Sequence, residues 1–400
     1  MQNIRNITED LIYLGCSDRK LALFESLYPV PDGVSYNSYL LKDDKTVLFD
    51  TVDKACAQSF HENLKSALDG RNLDYIVIHH VEPDHCALLA EVLAEYPDAV
   101  IVCTAKALSM INQFFRLELK NSPMIVKEGD VLNTGGHELA FYMAPMVHWP
   151  EVMVCYDKTS KILFSADAFG SFGAINGNLF DDEVDSKEYY LEESRRYYTN
   201  IVGKYGLQVQ MLLKKAQNLD IKMICPLHGL ILKQDINFYL EKYTKWASYE
   251  PEYNGVLIAF SSVYGGTENA VDVLTSKLAQ KGVRNIKIFD VSRIHPSYVL
   301  AQAFKYSHIV LATTTYNASI FETMETFVNH LCSHNLQNRK FVLIQNGSWA
   351  PNCCGIIKEK LSCLKNTEIL DESISISSTM KSEQLTDIDN VVNTIVKSLN

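Results

Sequence analysis

Four ionisable side chains occur within the six positions from His80 to His85. They are His80, Glu82, Asp84 and His85, and they follow the apolar run Tyr75–Ile78, which predicts a buried strand. Side chains at strand ends often carry chemistry. Two imidazoles and two carboxylates on one loop repel or desolvate one another unless a cation lies between them. We therefore favour metal binding over the alternative, a polar turn in which Asp84 caps a helix.

Three further apolar segments each end at one possible metal ligand. Small or turn-forming residues follow each ligand, as they do where a strand ends. Taken singly, each of these histidines has the structural alternative of a hydrogen-bonded core residue. Taken with the first loop, they predict that four strand ends meet at one metal site. The segments and their ligands are residues 139–147 with His148, residues 161–166 with Asp167, and residues 221–227 with His228.

The order of these residues resembles the metallo-β-lactamase fold as it occurs in flavodiiron proteins. His-x-Glu-x-Asp-His is followed by a histidine, an aspartate and a histidine, in that order. The hydrolase form of the fold carries histidine at the third motif position, where this chain has Glu82, so the donor set shifts toward oxygen. The resemblance includes residues 30–55, in which Tyr36–Leu41 and Thr46–Phe49 predict a hairpin followed by Asp50.

The resemblance implies a pair of iron ions. Three carboxylates, two divalent ions and one bridging hydroxide sum to zero charge, which a buried cluster tolerates. The absence of cysteine ligands disfavours a structural zinc site, while the donor types alone still allow zinc or manganese. Family members differ in whether His85 reaches the metal, and His79 is expected to be structural because it lies on the opposite strand face. The implied ligands are His80, Glu82 and His148 for the first iron, Asp84, His85 and His228 for the second, and Asp167 as the bridge.

The second half of the chain alternates strand and helix patterns. This alternation predicts a parallel sheet with helices on both faces. The polar, proline-containing stretch Glu250–Asn254 separates the two halves, so we expect a metal domain over 1–250 and a second domain over 254–400. The predicted strands are 256–260, 286–291, 308–313, 341–345 and 373–377, and the predicted helices are 269–280, 298–305, 321–332 and 387–399.

The loop after the first strand of this half has the composition of an anion cradle. Two glycines free backbone N–H groups, three side chains supply hydroxyls, and a helix N-terminus follows. The loop lacks the lysine of a P-loop and the spacing of a dinucleotide fingerprint. Its alternative is a generic Ser/Gly turn, but it resembles the flavodoxin phosphate loop, which implies FMN as cofactor. The implied phosphate-binding residues are Ser262, Val263, Tyr264, Gly265, Gly266 and Thr267.

Two later loops follow the third and fourth strands, where flavodoxin-like domains surround the isoalloxazine ring. Tyr316 and Trp349 offer flat apolar surface, and Thr315 and Asn317 offer polar partners. Thr314 stands where relatives often carry proline, and the loop that holds Trp349 is shorter than its usual form. The implied flavin contacts are Thr314, Thr315, Tyr316, Asn317, Asn346, Gly347, Ser348 and Trp349.

Bulk properties narrow the class of protein. With 400 residues, 47% of them hydrophobic, the chain can bury two cores. We find no apolar run long enough to span a bilayer and no signal peptide, and ten cysteines without Cys-x-x-Cys spacing fit reduced thiols, so we expect a cytoplasmic protein without a fused rubredoxin module. A net charge of −11 argues against binding to nucleic acid.

The resemblance covers the whole chain and implies an oxidoreductase that reduces O₂ to water, NO to N₂O, or both. Reduced FMN and a diferrous pair hold two electrons each, and together they supply the four that convert O₂ to two waters without releasing peroxide. The electrons come from an external donor, namely rubredoxin, a reduced deazaflavin or a flavin reductase. The family also implies a head-to-tail dimer, or a dimer of dimers, in which FMN of one chain lies against the iron pair of another.

Two functional alternatives remain on the sequence alone. One is a dizinc hydrolase with an appended flavin domain, against which Glu82 is the main feature. The other is an electron-transfer or redox-sensing module without turnover. No catalytic residue beyond the metal ligands is assigned, because Tyr197 and Tyr198 are equally well explained as a buried aromatic pair or as hydrogen-bond donors to the iron pocket.

Overall fold

A computed structural model describes residues 2–370 and 373–399 of the chain. The chain divides into two compact units, Met1–Tyr198 with Leu207–Thr244 and Thr199–Gly206 with Lys245–Asn400. The division therefore falls within a helix, slightly before the proline-containing stretch at which the sequence suggests a boundary. None of the helices in the described part of the chain combines the length and the apolar character needed to cross a bilayer.

The first unit is built on two β-sheets. The first sheet has the order β1-β2-β7-β8-β9-β10-β11, and the second has the order β12-β13-β14-β15-β16. The strands are β1 (Arg5–Asn6), β2 (Leu11–Tyr13), β3 (Cys16–Asp18), β4 (Leu23–Phe24), β5 (Tyr28–Pro29), β6 (Val34–Tyr36), β7 (Tyr39–Lys42), β8 (Thr46–Phe49), β9 (Tyr75–Val77), β10 (Val100–Cys103), β11 (Met124–Ile125), β12 (Val131–Asn133), β13 (Glu138–Met143), β14 (Met153–Asp157), β15 (Ile162–Phe164) and β16 (Met223–Cys225).

One apolar core fills the space between the two sheets. Phe49 from the first sheet stacks on Phe164 from the second, with 4.0 Å between ring centroids, and Val77, Phe141 and Cys155 are buried in the same cluster. Helices complete the unit. They are α1 (Ala57–Leu68), α2 (Pro83–Cys86), α3 (Leu89–Glu95), α4 (Ala105–Phe114), α5 (Ser186–Tyr189), α6 (Leu191–Tyr197), α7 (Gly206–Ala216) and α8 (Ile236–Ala247).

The parallel pairs in these sheets align the strand ends that carry the predicted ligands. β8 pairs with β9 so that Phe49 lies opposite Val77, and β15 pairs with β16 so that Phe164 lies opposite Cys225. Because parallel strands end at the same edge of a sheet, the residues after them emerge together. The loops that follow β9, β15 and β16 hold His80, Asp167 and His228 respectively, as the sequence predicts.

The second unit is a parallel sheet with the order β18-β17-β19-β21-β22, to which β20 and β23 add at β19 and β21. This is the flavodoxin-like order 2-1-3-4-5. The elements are β17 (Tyr253–Phe260), α9 (Gly266–Gln280), β18 (Ile286–Asp290), α10 (Pro296–Lys305), β19 (Tyr306–Tyr316), β20 (Ser319–Ile320), α11 (Glu322–Ser333), β21 (Lys340–Asn346), α12 (Cys353–Leu361), β22 (Glu368–Ile369), β23 (Ile374–Ile376) and α13 (Leu385–Leu399).

Both predicted architectures are confirmed, a two-sheet sandwich with flanking helices and a doubly wound parallel sheet. In the second unit the register places Phe260 opposite Ala312 and Thr314 opposite Asn346. The loops after β17, β19 and β21 therefore meet at one edge of the sheet, which is where ligands bind in open parallel sheets.

Candidate metal centre and flavin site

The first group of candidate ligands lies around Glu82. Glu82 Oε2 is 3.1 Å from His80 Nε2 and 2.9 Å from His148 Nε2. Asp167 Oδ2 lies 3.3 Å from His80 Nε2 and 3.2 Å from His148 Nε2. Metal–ligand bonds of about 2.1 Å place adjacent ligand atoms roughly 3 Å apart. The four side chains therefore have the spacing of ligands to one ion.

The second group consists of Asp84, His85 and His228, whose ligand atoms lie within 4.8 Å of one another. Asp84 Oδ2 is 3.3 Å from His228 Nε2 and 3.5 Å from His85 Nε2. Asp167 joins the two groups, because its Oδ1 is 3.2 Å from His85 Nε2 while its Oδ2 faces the first group. This placement is the geometry of a carboxylate that bridges two ions.

Buried polar atoms of this cluster lack hydrogen-bond partners, which supports the fit to metal. Both carboxylate oxygens of Asp84 and of Asp167, both ring nitrogens of His85 and Nε2 of His228 have no partner among the described residues. Leaving such atoms unpaired is costly unless a cation completes them. The donor set of four imidazoles and three carboxylates suits non-haem iron.

Residues outside the cluster orient its imidazoles. His80 Nδ1–H donates to Glu151 Oε1 at 2.8 Å, and His228 Nδ1–H donates to the carbonyl oxygen of Ser35 at 2.7 Å. Each contact turns Nε2 of the ring toward the cluster, as supporting hydrogen bonds do in metal sites. Glu151 is 2% exposed and was not predicted from the sequence, although it lies three residues after His148.

His79 is turned away from the cluster, toward Asp50. Asp50 accepts hydrogen bonds from the His79 ring at 2.6 Å and from the His79 backbone N–H at 2.8 Å. The next residue, Thr51, donates its hydroxyl to the carbonyl oxygen of His85 at 2.9 Å. Asp50 and Thr51, which follow β8, thus stabilise the loop that carries the candidate ligands.

The cluster strongly shifts the titration of its members. Burial opposes the charged form of each group. Hydrogen bonds to Glu151 and Glu82 nevertheless raise the pKa of His80 well above its usual value. The neighbouring carboxylates of Asp167 and Glu82 raise the pKa of His148 to about 9. The nearby imidazoles hold the pKa of Asp167 well below its usual value despite burial. Metal ions that bind here must displace imidazole protons, so metal binding releases protons.

Aromatic rings cover the second ligand group. The rings of Phe24, Tyr36 and Tyr197 lie 5.4, 5.8 and 5.3 Å from the ring of His228. The Tyr197 hydroxyl is buried and has no hydrogen-bond partner among the described residues. Burial, and then the charges of Asp167, Asp84 and Glu82, raise the pKa of Tyr197 well above its usual value, so it keeps its proton.

The cluster opens to the surface through a cavity of about 230 Å³, which we call the mouth. Glu82 and Asp84 line it from the ligand side, and side chains of other elements form its remaining walls. These wall residues include Phe24, Glu25, Tyr36 and Asp53.

The predicted phosphate loop of the second unit surrounds a cavity of about 170 Å³. Gly265 has a φ of +86° and its N–H donates to Ser262 Oγ at 3.1 Å, which bends the loop into the start of α9. Thr267 Oγ1 lies 3.2 Å from Thr314 Oγ1. Eleven of the described residues, most of them polar or small and drawn from four loops, line the cavity. They are Ser262, Val263, Tyr264, Gly266, Thr267, Thr314, Asn346, Gly347, Ser348, Ser378 and Thr379.

Some predicted flavin contacts lie elsewhere. Thr315 Oγ1 accepts the backbone N–H groups of Asn352 and Cys353 at 3.0 and 3.2 Å, so this hydroxyl caps α12. Trp349 and Tyr316 are 83% and 47% exposed and do not line the cavity, nor does Asn317. Their contact with the ring stays a prediction.

A fourth loop, after β23, joins the cavity and was missed from the sequence. The Ser378 carbonyl oxygen accepts a hydrogen bond from Asn346 Nδ2 at 3.0 Å, and Ser378 Oγ lies 2.9 Å from Ser348 Oγ. Only the pairing of β23 with β21 brings Ser378 and Thr379 to this edge, and no local signal announces it.

Comparison with known proteins agrees with this arrangement. Residues 34–229 match the ODP family beta lactamase model. The anaerobic nitric oxide reductase flavorubredoxin of Klebsiella pneumoniae is 31% identical over 388 residues, which cover 96% of this chain and 78% of the relative. Its Escherichia coli counterpart is 32% identical over 366 residues, covering 90% of this chain and 74% of the relative.

Solved structures share the whole architecture. A flavo di-iron protein of Thermotoga maritima superposes with a TM-score of 0.90 at 26% identity, with all of both chains covered. The rubredoxin oxygen:oxidoreductase of Desulfovibrio gigas superposes with a TM-score of 0.92 at 24% identity, covering 99% of this chain and 98% of the other, and supports the fold. With two ligand groups around a shared aspartate, a flavodoxin-like unit and relatives of this identity, the chain belongs to the flavodiiron protein family and is an oxidoreductase.

Proposed function

We propose that this oxidoreductase reduces O₂ to water, NO to N₂O, or both, with electrons from an external donor. The observation that carries the proposal is the position of Asp167, which presents one oxygen to each of two ligand groups. Two iron ions held by these ligands would supply the redox chemistry and the positive charge that reduction of a diatomic gas requires. The family's two cofactors, FMN and a non-haem iron pair, supply the electron storage for this reduction.

We assign the cofactors to the residues that the geometry brings together. His80, Glu82 and His148 would hold one iron, Asp84, His85 and His228 the other, with Asp167 between them. The phosphate of FMN would bind the loop Ser262–Thr267. We also propose that residues 1–250 form the iron-binding domain and residues 254–400 the FMN-binding domain.

The protein contributes position, polarity and a proton source around the iron pair. Glu151 and the Ser35 carbonyl fix two imidazole rings by hydrogen bonds. The Tyr197 hydroxyl is a protonated donor without a partner among the described residues, close enough to the ligand carboxylates to feel their charge. We infer that it donates a hydrogen bond to bound substrate.

We further propose the assembly and the setting. FMN and iron in separate domains cooperate across a head-to-tail dimer, alone or within a dimer of dimers. The donor is rubredoxin, a reduced deazaflavin or a flavin reductase, and the protein acts in the cytoplasm without nucleic acid or membrane partners.

Metal analysis and rapid kinetics test the proposal together. Protein produced with defined metal supply is expected to contain two iron ions and one FMN per chain. Anaerobic stopped-flow mixing of the reduced protein with O₂ and, separately, with NO should oxidise flavin and iron within the first turnover for at least one gas. Zinc content with thioester or phosphodiester hydrolysis would instead establish the hydrolase, and slow oxidation by both gases would establish a module without turnover.

A further inference from the structure

Cys16 and Cys56 form a pair of buried thiols in the first unit, separate from the candidate iron ligands. Cys16 begins β3, and Cys56 ends a 3-10 turn, Lys54–Cys56, that packs against this strand. The two residues are 6% and 8% exposed. Both are free cysteines in the structure, carried by a strand and a turn that contact each other.

A surface cavity of about 410 Å³ reaches one of the two thiols. Cys16 lines this cavity together with Arg5, Arg19 and Ser59, whereas Cys56 does not. A small molecule in the cavity therefore meets Cys16 and not Cys56. This order is that of an attacking and a resolving thiol.

The cavity wall carries positive charge. Arg5 pairs with Glu183, which balances its charge. Arg19 donates to the carbonyl oxygen of Ile175 at 2.6 Å and to Asn176 Oδ1 at 3.1 Å, and both of these acceptors are neutral. A guanidinium group in this position attracts carboxylates.

We propose that Cys16 and Cys56 are a thiol–disulfide site that reacts with small, carboxylate-bearing disulfides through this cavity. Cys16 Sγ attacks the small disulfide, forms a bond to one of its sulfur atoms and releases the other half as a thiol. Cys56 Sγ then attacks Cys16 Sγ and releases the second half as a thiol. The protein loses two electrons and two protons, and the small disulfide gains both.

The bond that forms joins two walls of the mouth. Cys16 lies opposite Tyr36 in the pairing of β3 with β6, and Asp53 accepts the Ala55 N–H that begins the turn ending at Cys56. Tyr36 and Asp53 both line the mouth. The site is thus a modification site beside the metal centre, and its existence does not depend on which gas the enzyme reduces.

Two matched reagents test the proposal. Reduced, iron- and FMN-loaded protein is mixed anaerobically with 3,3′-dithiodipropionate or with cystamine, which share two-carbon arms and differ in the charge of their ends. Intact mass and peptide mapping follow each cysteine with time. Cys16 and Cys56 of the wild type are expected to lose two hydrogen atoms together, without a lasting adduct on either, and to yield a Cys16–Cys56 linked peptide. Peptide mapping follows the reaction of exposed Cys363 separately.

Variants distinguish the roles of the two thiols and of the charge on Arg19. C56S is expected to keep an adduct on Cys16, and C16S to lose the reaction at Cys56. We compare the rate of oxidation by the anionic reagent with the rate by the cationic reagent. This ratio should be at least about tenfold higher for the folded wild type than for the urea-unfolded chain. R19Q should remove most of that preference. The oxidised protein should melt about 5 °C higher than the reduced one.

Several outcomes would overturn the proposal. A lasting adduct on Cys16 of the wild type would show that Cys56 does not resolve it. Linkage of either cysteine to another residue would show that they are not partners. Equal corrected rates for the two reagents would show that the cavity does not select carboxylates. Circular dichroism and flavin content of C16S and C56S establish that each variant is folded.

Discussion

The carboxylate of Glu151 accepts one hydrogen bond from the His80 ring and a second from the backbone N–H of Val81. Glu151→Gln keeps the size of the side chain and removes its charge, so His80 becomes a weaker and less well oriented ligand. We expect iron affinity to fall by about 10- to 100-fold. Competition with a chelator measures this change.

The matched control is Glu138→Gln, because Glu138 is exposed and pairs only loosely with Lys158 at 3.5 Å. Its iron affinity should equal that of the wild type. If Glu151→Gln also binds iron like the wild type, the hydrogen bond to His80 has no role in holding the metal.

Asp167 is the residue on which the two-ion arrangement depends. Asp167→Asn replaces one of its two oxygens by an N–H₂ group, which cannot bind a cation. We expect the variant to hold at most one tightly bound iron per chain and to lose gas reduction by about two orders of magnitude or more. Elemental analysis and stopped-flow kinetics measure both effects.

Asp74→Asn serves as its control, since Asp74 forms a surface ion pair with Lys45 at the end of β9 opposite to the ligand loop and is not a ligand. Two tightly bound ions in Asp167→Asn would rule out the bridging role.

For single residues, the sequence identifies the candidate metal ligands but not the groups that orient them by hydrogen bonds. His80, Asp84 and Asp167 stand out because a charged residue follows an apolar strand. Glu151 gives the same local signal as a ligand, a carboxylate just after a histidine, and only its distance from Nδ1 of His80 shows that it supports the ring. The Ser35 carbonyl gives no sequence signal, since every residue has one.

Among the larger elements, the turn before β13 is tied to both sheets through His137. Its Nδ1 lies 2.7 Å from Asp157 on β14, and its Nε2 lies 2.8 Å from Asp10 in the turn between β1 and β2. Burial lowers the pKa of His137, but the hydrogen bonds to Asp157 and Asp10 outweigh it and raise the pKa above its usual value. The imidazolium therefore links two carboxylates across the sandwich.

The raised pKa of His137 fixes the sign of its contribution to stability. A group whose pKa is higher in the folded state stabilises fully below its unfolded value and stops doing so as the pH rises through its folded value. We expect His137→Gln to lower the melting temperature by a larger amount at pH 6 than at pH 9. Calorimetry at both values tests this, and an equal loss at both would show that the charge of His137 is not involved.

The start of α9 allows no side chain at Gly266. A Cβ there would collide with the carbonyl oxygen of Ser378, which belongs to the backbone of another loop and cannot turn aside as a side chain can. Gly266→Ala should therefore displace one wall of the proposed phosphate site. We expect FMN affinity to fall at least about tenfold, a loss of 1.4 kcal/mol, measured by fluorescence titration.

Gly355→Ala is the control, because a Cβ at Gly355 in α12 meets nothing within 4 Å. Helix propensity predicts unchanged FMN binding and slightly higher stability for this variant. Unchanged FMN affinity in Gly266→Ala would exclude this loop from the binding site.

The predicted elements show where sequence patterns are informative. Strands such as β17 and helices such as α9 are found because apolar runs and glycine-rich turns alternate. Helix α12 is missed, because Gly355 interrupts its pattern and its N-terminus is capped by the distant hydroxyl of Thr315 in place of a local cap. The long strand β19 extends past its predicted end at Thr313 to Tyr316, where β20 pairs with it.

For the whole molecule, the proposed head-to-tail dimer makes a prediction about mixed assemblies. Asp167→Asn impairs the iron pair and keeps the flavin site, whereas Gly266→Ala does the reverse. In a head-to-tail heterodimer, FMN of the first variant faces intact iron of the second. The heterodimer should therefore work at about half of the wild-type rate, because one of its two sites is complete. A 1:1 mixture with free exchange, in which about half of the dimers are heterodimers, should reach about a quarter.

Sedimentation of each mixture establishes that chains have exchanged. No recovery in exchanged dimers would show that each chain uses its own two cofactors. A monomer that is fully active would rule out the dimer altogether.

The organisation into a metal unit and a flavodoxin-like unit follows from the sequence, because each half of the chain carries its own motif and its own pattern of strands and helices. The boundary between them, placed at Glu250–Asn254, stays a prediction. The Glu250–Asn254 stretch looks like a linker, yet Tyr253 already begins β17 and the compact units divide earlier, within α8. Polar composition marks exposed chain, whereas the extent of a compact unit depends on contacts between residues that are distant in sequence.

The position of Trp149 has a practical consequence. Its indole lies edge-on to the rings of His80 and His148, with centroid distances of 5.2 and 6.1 Å. Trp349 is exposed on the loop after β21, and Trp246 is buried and donates to Glu252. These are the three tryptophans of the chain. The fluorescence of Trp149 should be quenched as iron binds, and replacement of Trp149 by phenylalanine should abolish that change. Intrinsic tryptophan fluorescence can therefore report how much metal the protein holds.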